Sequence, residues 1–152
     1  MTMNEKEFQE WKSKLQSLDP YGSEVDCNDF FKLLDGVKGS LGGDVISVLL
    51  GTFTNADDYG VQERVLVTLD DSDPLEFASQ LSKGFKDLLA RSSEKEWPLI
   101  IIGRIFNSED PSWIRPLADA ARANSVLRSY LLGDEFLGEY PEAKALLIKF
   151  GV

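Results

Sequence analysis

The sequence predicts an all-α protein, and three observations lead to that prediction. The chain has 152 residues, of which 43% are apolar and 11% aromatic, a composition that can bury a core without disulfides. Apolar residues recur three and four positions apart along most of its length, as on one face of a helix. Asp-Pro pairs at 73–74 and 110–111 each place a proline where a helix begins. We expect about eight helices in a single domain, 1–152.

The N-terminal segment, 1–38, is predicted to form a helix pair. Asn4 followed by Glu7 is a capping box for the first helix, which ends before Asp19-Pro20. The second helix is expected after Asp26, ending at the glycines at 36 and 39. The apolar stripes of the two helices are Phe8, Trp11, Leu15 and Leu18, then Phe30, Phe31, Leu34 and Val37.

The middle of the chain contains four further apolar segments. Residues 44–53 are β-branched and apolar, which suits a buried strand or a short buried helix, and the helical neighbours favour the helix. Residues 61–69 and 74–89 carry amphipathic helical stripes. Residues 94–106 are apolar nearly all round, which predicts a helix covered on most sides, although the three isoleucines leave a strand open. Pro98 is compatible with the helix only near its start.

The C-terminal segments continue the helical pattern. A helix is predicted from Pro111 to Ala121, distorted or delayed by Pro116. Another runs over 126–132 and stops at Gly133, and Pro141 opens the last one.

A weak repeat relates 53–81 to 89–117. Both segments read as a helix end, a polar turn, an apolar helix and a turn in which Asp-Pro opens the next helix. Pro74 and Pro111 are 37 residues apart. Helix pairs with a period near ~40 residues are typical of HEAT and armadillo solenoids. We therefore expect 44–150 to form a short right-handed stack of antiparallel helix pairs, with an irregular helical bundle as the alternative.

The charge of the chain is strongly negative and unevenly placed. Its 26 acidic and 16 basic side chains give −10, and residues up to Ser72 account for fourteen acids against six bases, a net of −8. Such a charge opposes binding to nucleic acid or to an anionic membrane, because phosphate is held by clustered Lys and Arg. It favours a basic protein as partner. The alternative is that these acids only cap helices and solvate loops.

The sequence offers little for catalysis. With no histidine, the Ser-His-Asp and Cys-His nucleophile systems and every metal site that uses histidine are excluded. The single cysteine, Cys27, can form neither an internal disulfide nor a multi-thiolate zinc site. We expect no enzyme, no cofactor and no metal, with catalysis through carboxylates alone as a remote alternative.

The location expected for the chain is the cytoplasm. The N-terminus lacks the basic start and apolar stretch of a signal peptide, and the longest apolar run, 97–102, is far too short to cross a bilayer. The sequence does not fix the oligomeric state, and a monomer is favoured.

The best candidate for a binding site is the turn-rich acidic stretch around Tyr59. An aromatic side chain beside carboxylates suits a basic partner, because Tyr buries a large area and Asp forms charge-assisted hydrogen bonds to Arg or Lys. The alternative is that Tyr59 folds back on its own helix. The predicted partner-binding residues are Asp57, Asp58, Tyr59, Glu63, Asp70, Asp71 and Asp73, with Glu94 and Glu96 at the equivalent turn of the next repeat.

The segment LLGTFTNADDYGVQERVLVTL, residues 49–69, resembles the helix-turn-helix of HEAT repeats. An acidic HEAT-like array of this length is similar to small bacterial immunity proteins of polymorphic toxin systems, especially the family called immunity protein 30. The resemblance covers residues 44–150. It implies a protein that binds and neutralises a cognate toxin, with a basic nuclease-type domain as the expected target. An acidic adaptor unrelated to toxins is the alternative.

Overall fold

The computed structural model describes residues 3–56 and 60–152. These ranges form ten α-helices and one short 3-10 helix, and they contain no strand. The all-α prediction is confirmed, including the helical alternative for 44–53 and for 94–106. No helix in the described ranges has the length and apolar character needed to cross a membrane.

The chain forms two compact units, which we call unit 1 (1–52 and 56–73) and unit 2 (53–55 and 74–152). The boundary falls between Asp73 and Pro74, so the helices of residues 43–69 group with the N-terminal pair. The sequence-based division had placed them with the C-terminal helices.

Unit 1 contains four helices: α1 (Glu5–Ser17), α2 (Glu24–Gly36), α3 (Gly43–Leu50) and α4 (Val61–Leu69). Helix α1 packs on α2, and both α2 and α3 pack on α4. The Asn4 and Glu7 capping box is present. Helix α2 begins before Asp26 because the Ser23 hydroxyl accepts a hydrogen bond from the Asp26 N–H at 3.2 Å and caps the helix.

Unit 2 contains six α-helices: α5 (Pro74–Ser92), α6 (Trp97–Asn107), α7 (Pro111–Arg122), α8 (Ser125–Leu131), α9 (Asp134–Glu139) and α10 (Ala143–Lys149). The 3-10 helix Ser93–Lys95 joins α5 to α6. Helix α5 packs on α6, α7 and α8, while α6 also contacts α7 and α10. The long amphipathic α5 is therefore the central element of unit 2.

Two features of unit 2 differ from expectation. Helix α7 begins at Pro111 and runs through Pro116, so the proline does not delay it. Helix α9 was not predicted, because six residues are too few to show a helical period. It is fixed by one side chain, Phe136, which is fully buried.

An aromatic cluster fills the core of unit 2 around Phe136. Its ring lies 5.5 Å from that of Phe106, 6.1 Å from Tyr130 and 5.4 Å from Tyr140, between centroids. The Tyr140 ring packs directly on the backbone of α6 at Gly103, where a Cβ would overlap it. A larger residue at this position would force the Tyr140 ring to shift, so the close packing depends on glycine although its backbone is helical.

Several contacts in unit 2 join residues about one predicted repeat apart. The Glu94 N–H donates to Asn55 Oδ1 at 3.0 Å, and Arg91 Nε donates to the Phe53 carbonyl at 3.4 Å. The Phe53 and Trp97 rings lie 5.1 Å apart between centroids. These contacts span 38 to 44 residues, close to the interval predicted for the repeat. The right-handed solenoid stays a prediction.

Candidate protein-binding site

The predicted site residues fall into three groups. Asp57, Asp58 and Tyr59 lie outside the described residues. Glu63, Asp70, Asp71 and Asp73 belong to unit 1, and Glu94 and Glu96 to unit 2. All six described residues are exposed.

The two units differ sharply in net charge. Unit 1 carries fifteen acidic and six basic side chains, a net of −9, whereas unit 2 carries eleven and ten, a net of −1. Nearly all the net negative charge of the chain therefore belongs to unit 1. A site for a basic partner is expected there, since charge of one sign on one surface attracts and orients the opposite sign.

Helix α4 presents one exposed stripe, and three of the predicted acids lie on it. Glu63, Val67 and Asp70 are at positions i, i+4 and i+7, so they share one face of α4; Asp71 follows at the helix end, and all four residues are exposed. The opposite side of α4 is buried in the core. We call these four residues the α4 stripe.

Val67 is the member of the α4 stripe that the sequence analysis missed. Its side chain is 54% exposed, although it belongs to a helix whose other apolar residues are buried. The signal was present in the spacing, because Val67 lies off the buried stripe formed by Val61, Val65, Leu66 and Leu69. Val67 adds apolar area to a surface whose neighbouring side chains at Glu63, Asp70 and Asp71 are acidic.

The acids at the C-terminal end of α4 oppose the helix dipole. Asp70 and Asp71 follow the last turn, which carries no basic residue. Their backbone N–H groups donate to the carbonyls of Val67 and Thr68 at 3.2 and 3.4 Å, which holds them against the helix end. Negative charge at a helix C-terminus is unfavourable by about 0.3–1 kcal/mol per group. These carboxylates thus strengthen the negative potential of the stripe at a cost in stability.

Arg64, the one basic residue between Glu63 and Asp73, is engaged with α2. Its Nη2 lies 3.3 Å from both carboxylate oxygens of Asp35, and its guanidinium stacks over the Phe31 ring at 4.7 Å from the centroid. Lys38 also lies near Asp35, at 3.7 Å. Asp35 therefore holds the Arg64 guanidinium beside α2. Arg64 consequently neutralises less of the negative charge of the α4 stripe than its position in the sequence suggests.

The second acidic turn, in unit 2, has a different setting. Glu96 adopts a left-handed backbone with φ 61°, which is uncommon for a residue other than glycine.

Burial, together with the negative charges of Glu135 and Glu96, raises the pKa of the Tyr130 phenol. The Tyr130 hydroxyl oxygen is buried and has no hydrogen-bond partner within the described part of the chain. It therefore keeps its proton at neutral pH.

A metal centre is not indicated. Within residues 3–56 and 60–152, no group of three or more acidic or cysteine side chains is arranged to hold a metal ion. The geometry of the α4 stripe suits contact with a protein surface, because it is a convex helix face with an apolar centre.

Comparison with known proteins yields no relative. No family model, curated protein or solved structure matches the chain. The function must therefore be inferred from the residues themselves.

Proposed function

We propose that this chain is a bacterial immunity protein that acts in the cytoplasm, where it binds and neutralises a basic toxin domain of the nuclease type. The observation that carries the proposal is the α4 stripe, an exposed acidic helix face with an apolar centre on a unit of net charge −9. The resemblance of residues 44–150 to acidic HEAT-like immunity proteins supplies the class of partner.

The proposed binding mechanism uses the negative charge of unit 1 and the exposed side chain of Val67. Long-range attraction between unit 1 and a basic surface speeds association, and this effect weakens as salt rises. At contact, Val67 packs on an apolar group of the partner, while Glu63 and Asp71 form charge-assisted hydrogen bonds to its Arg or Lys side chains. The bound protein then covers the cations with which a nuclease holds its phosphate substrate.

The test is co-expression with the product of the gene next to this one, followed by co-purification and a growth assay. We expect a stable complex and restored growth. The double variant Glu63→Lys with Asp71→Lys should weaken binding at least about tenfold, since it replaces two attractive contacts by repulsive ones. Failure of the wild-type chain both to bind and to restore growth would overturn the proposal.

A matched control variant distinguishes the effect of the α4 stripe on binding from the effect of the net charge of unit 1. Glu10→Lys with Asp29→Lys changes the charge of unit 1 by the same amount at exposed positions on α1 and α2. This control should slow association modestly and leave dissociation unchanged, because rim and distant charges act mainly on the association rate. If it weakens binding as much as the α4 variant, the charge matters but the stripe does not. A complex that forms without restoring growth would instead indicate an acidic adaptor unrelated to toxins.

A further inference from the structure

Helix α10 carries a second exposed face, and its charge is opposite to that of the α4 stripe. Residues 143–149 include two lysines and no acid. Ile148 is 67% exposed, and Lys144, one turn before it on the same side of the helix, is exposed as well. Lys149, the next residue along the chain, is also exposed. Like the α4 stripe, this end of the chain combines an exposed branched apolar side chain with nearby charges of one sign, and here the sign is positive.

Arg115 of α7 adds a third cation to this face. Its guanidinium lies over the Phe150 ring at 5.1 Å from the centroid, and Lys149 Nζ lies 5.6 Å from the same centroid. The ring therefore brings two cations from different helices to one place. We call Arg115, Lys144, Ile148 and Lys149 the α10 face.

The cations of the α10 face form no close ion pair in the described part of the chain. The acids Asp35 and Asp119 have basic partners within 4.0 Å, and those partners do not include Arg115, Lys144 or Lys149. Asp119 is paired with Arg122, which also donates to the Phe150 carbonyl at 2.5 Å and caps the C-terminal end of α10. Arg115 and Lys149 are thus held by an aromatic ring with their charge available to an anionic group.

We propose that the α10 face of one copy of the chain binds the α4 stripe of a second copy. The two surfaces match in chemistry: Ile148 would meet Val67, and Arg115 and Lys149 would meet Glu63, Asp70 or Asp71. Such a contact is heterologous, so each copy in a dimer keeps one free face to which a further copy can bind. Two single helix faces form a small interface, which is typical of weak association.

The salt dependence of this association has a distinctive form. Each chain has a net charge of −10, so copies repel one another at low salt, when the Debye length is about 30 Å at 0.01 M. At about 0.15 M this repulsion is screened beyond roughly 8 Å, while charge pairs in contact are screened less. At 1 M the contact pairs are screened as well. Association should therefore be strongest at intermediate salt, whereas purely apolar association would rise steadily with salt.

Sedimentation equilibrium of the full chain, at concentrations from about 0.02 to 1 mM that bracket weak binding, tests the proposal. We expect the mean mass to rise with concentration. Glu63→Lys with Asp71→Lys, and separately Arg115→Glu with Lys149→Glu, should each lower the association constant at least about tenfold. The control Lys12→Glu with Lys32→Glu, in α1 and α2, should leave it within about twofold.

Mixing the two reversed variants gives the decisive result. Each variant alone has two faces of like charge, whereas in the mixture the normal faces match each other and the reversed faces match each other, so mixing should restore association that neither variant shows alone. A wild-type chain that stays monomeric, variants that associate like wild type, or a mixture that stays monomeric would each overturn the proposal. This result does not depend on the toxin. The wild-type chain can restore growth, or fail to restore it, whether or not the chain associates with itself.

Discussion

The two units of the chain use their side chains in different ways. Unit 2 has a net charge of −1, and six of the seven aromatic ring contacts in the described residues lie within it. Unit 1 has a net charge of −9 and the remaining ring contact, Phe8 with Trp11. Apolar area removed from water stabilises a fold, and self-repulsion among like charges destabilises it. Unit 2 therefore combines aromatic packing with nearly balanced charge, whereas unit 1 folds in spite of a large excess of negative charge.

The largest expected effect is in the core of unit 2. Phe136→Ala should reduce the free energy of unfolding by about 3–5 kcal/mol, because it empties a fully buried site in contact with three rings. Phe8→Ala in unit 1 should have a smaller effect, since Phe8 is 9% exposed and stacks on one ring. Hydrogen exchange, which reports local stability along the chain, measures both. Equal losses would contradict the proposed difference between the units.

The second largest effect on stability is expected at Gly103, which the Tyr140 ring approaches closely. Gly103→Ala should destabilise unit 2 by about 1–3 kcal/mol, because the new Cβ would overlap the Tyr140 ring in a packed core. Gly84→Ala in α5 is the matched control, since no atom outside the adjacent residues and backbone of its own helix lies within 4 Å of its Cβ position. Alanine there should stabilise the protein by about 0.5–1 kcal/mol through helix propensity. Urea unfolding of both variants should therefore give shifts of opposite sign.

A pH effect is expected at Tyr130. Tyr130→Phe should raise the free energy of unfolding by about 1 kcal/mol at pH 7, because it removes a buried hydroxyl without a partner. The raised pKa of Tyr130 means that the folded chain keeps a proton which the unfolded chain releases above about pH 10. The wild type should thus lose stability above that pH, and the variant should lose less. Urea titrations of the wild type and of the variant, from about pH 7 to about pH 11, measure both effects.

The smallest effect tests the cost of charge in unit 1. Asp71→Asn should stabilise the protein by about 0.3–1 kcal/mol at low salt, since it removes a negative charge from the C-terminal end of α4. Asp44→Asn should have the opposite sign, because Asp44 lies in the first turn of α3, where negative charge is favourable. Thermal unfolding at low and high salt measures both. A destabilised Asp71→Asn variant would show that this carboxylate serves the fold and would weaken its assignment to a binding surface.

The helices were predicted well where a stripe and a cap coincide. Helix α1, with its Asn4 capping box, and α5, opened by Pro74, follow local rules that tertiary contacts did not change. Helix α9 was missed because its place depends on Phe136 filling a cluster built by residues far apart in sequence. Part of the candidate site was likewise predictable as acids, and the exposure of Val67 could have been inferred from its position off the apolar stripe of α4.

The sequence by itself determined the all-α class, the excess of acid in the first half and the absence of histidine, because these depend on composition and on neighbours a few residues apart. The tertiary structure decided which of those acids share a surface with an exposed apolar residue, and that Arg64 is held by Asp35 and Phe31 beside α2. It also decided that Arg115 and Lys149 meet at Phe150. Pairing between distant residues follows from how buried faces pack, and packing depends on the shapes of many side chains together.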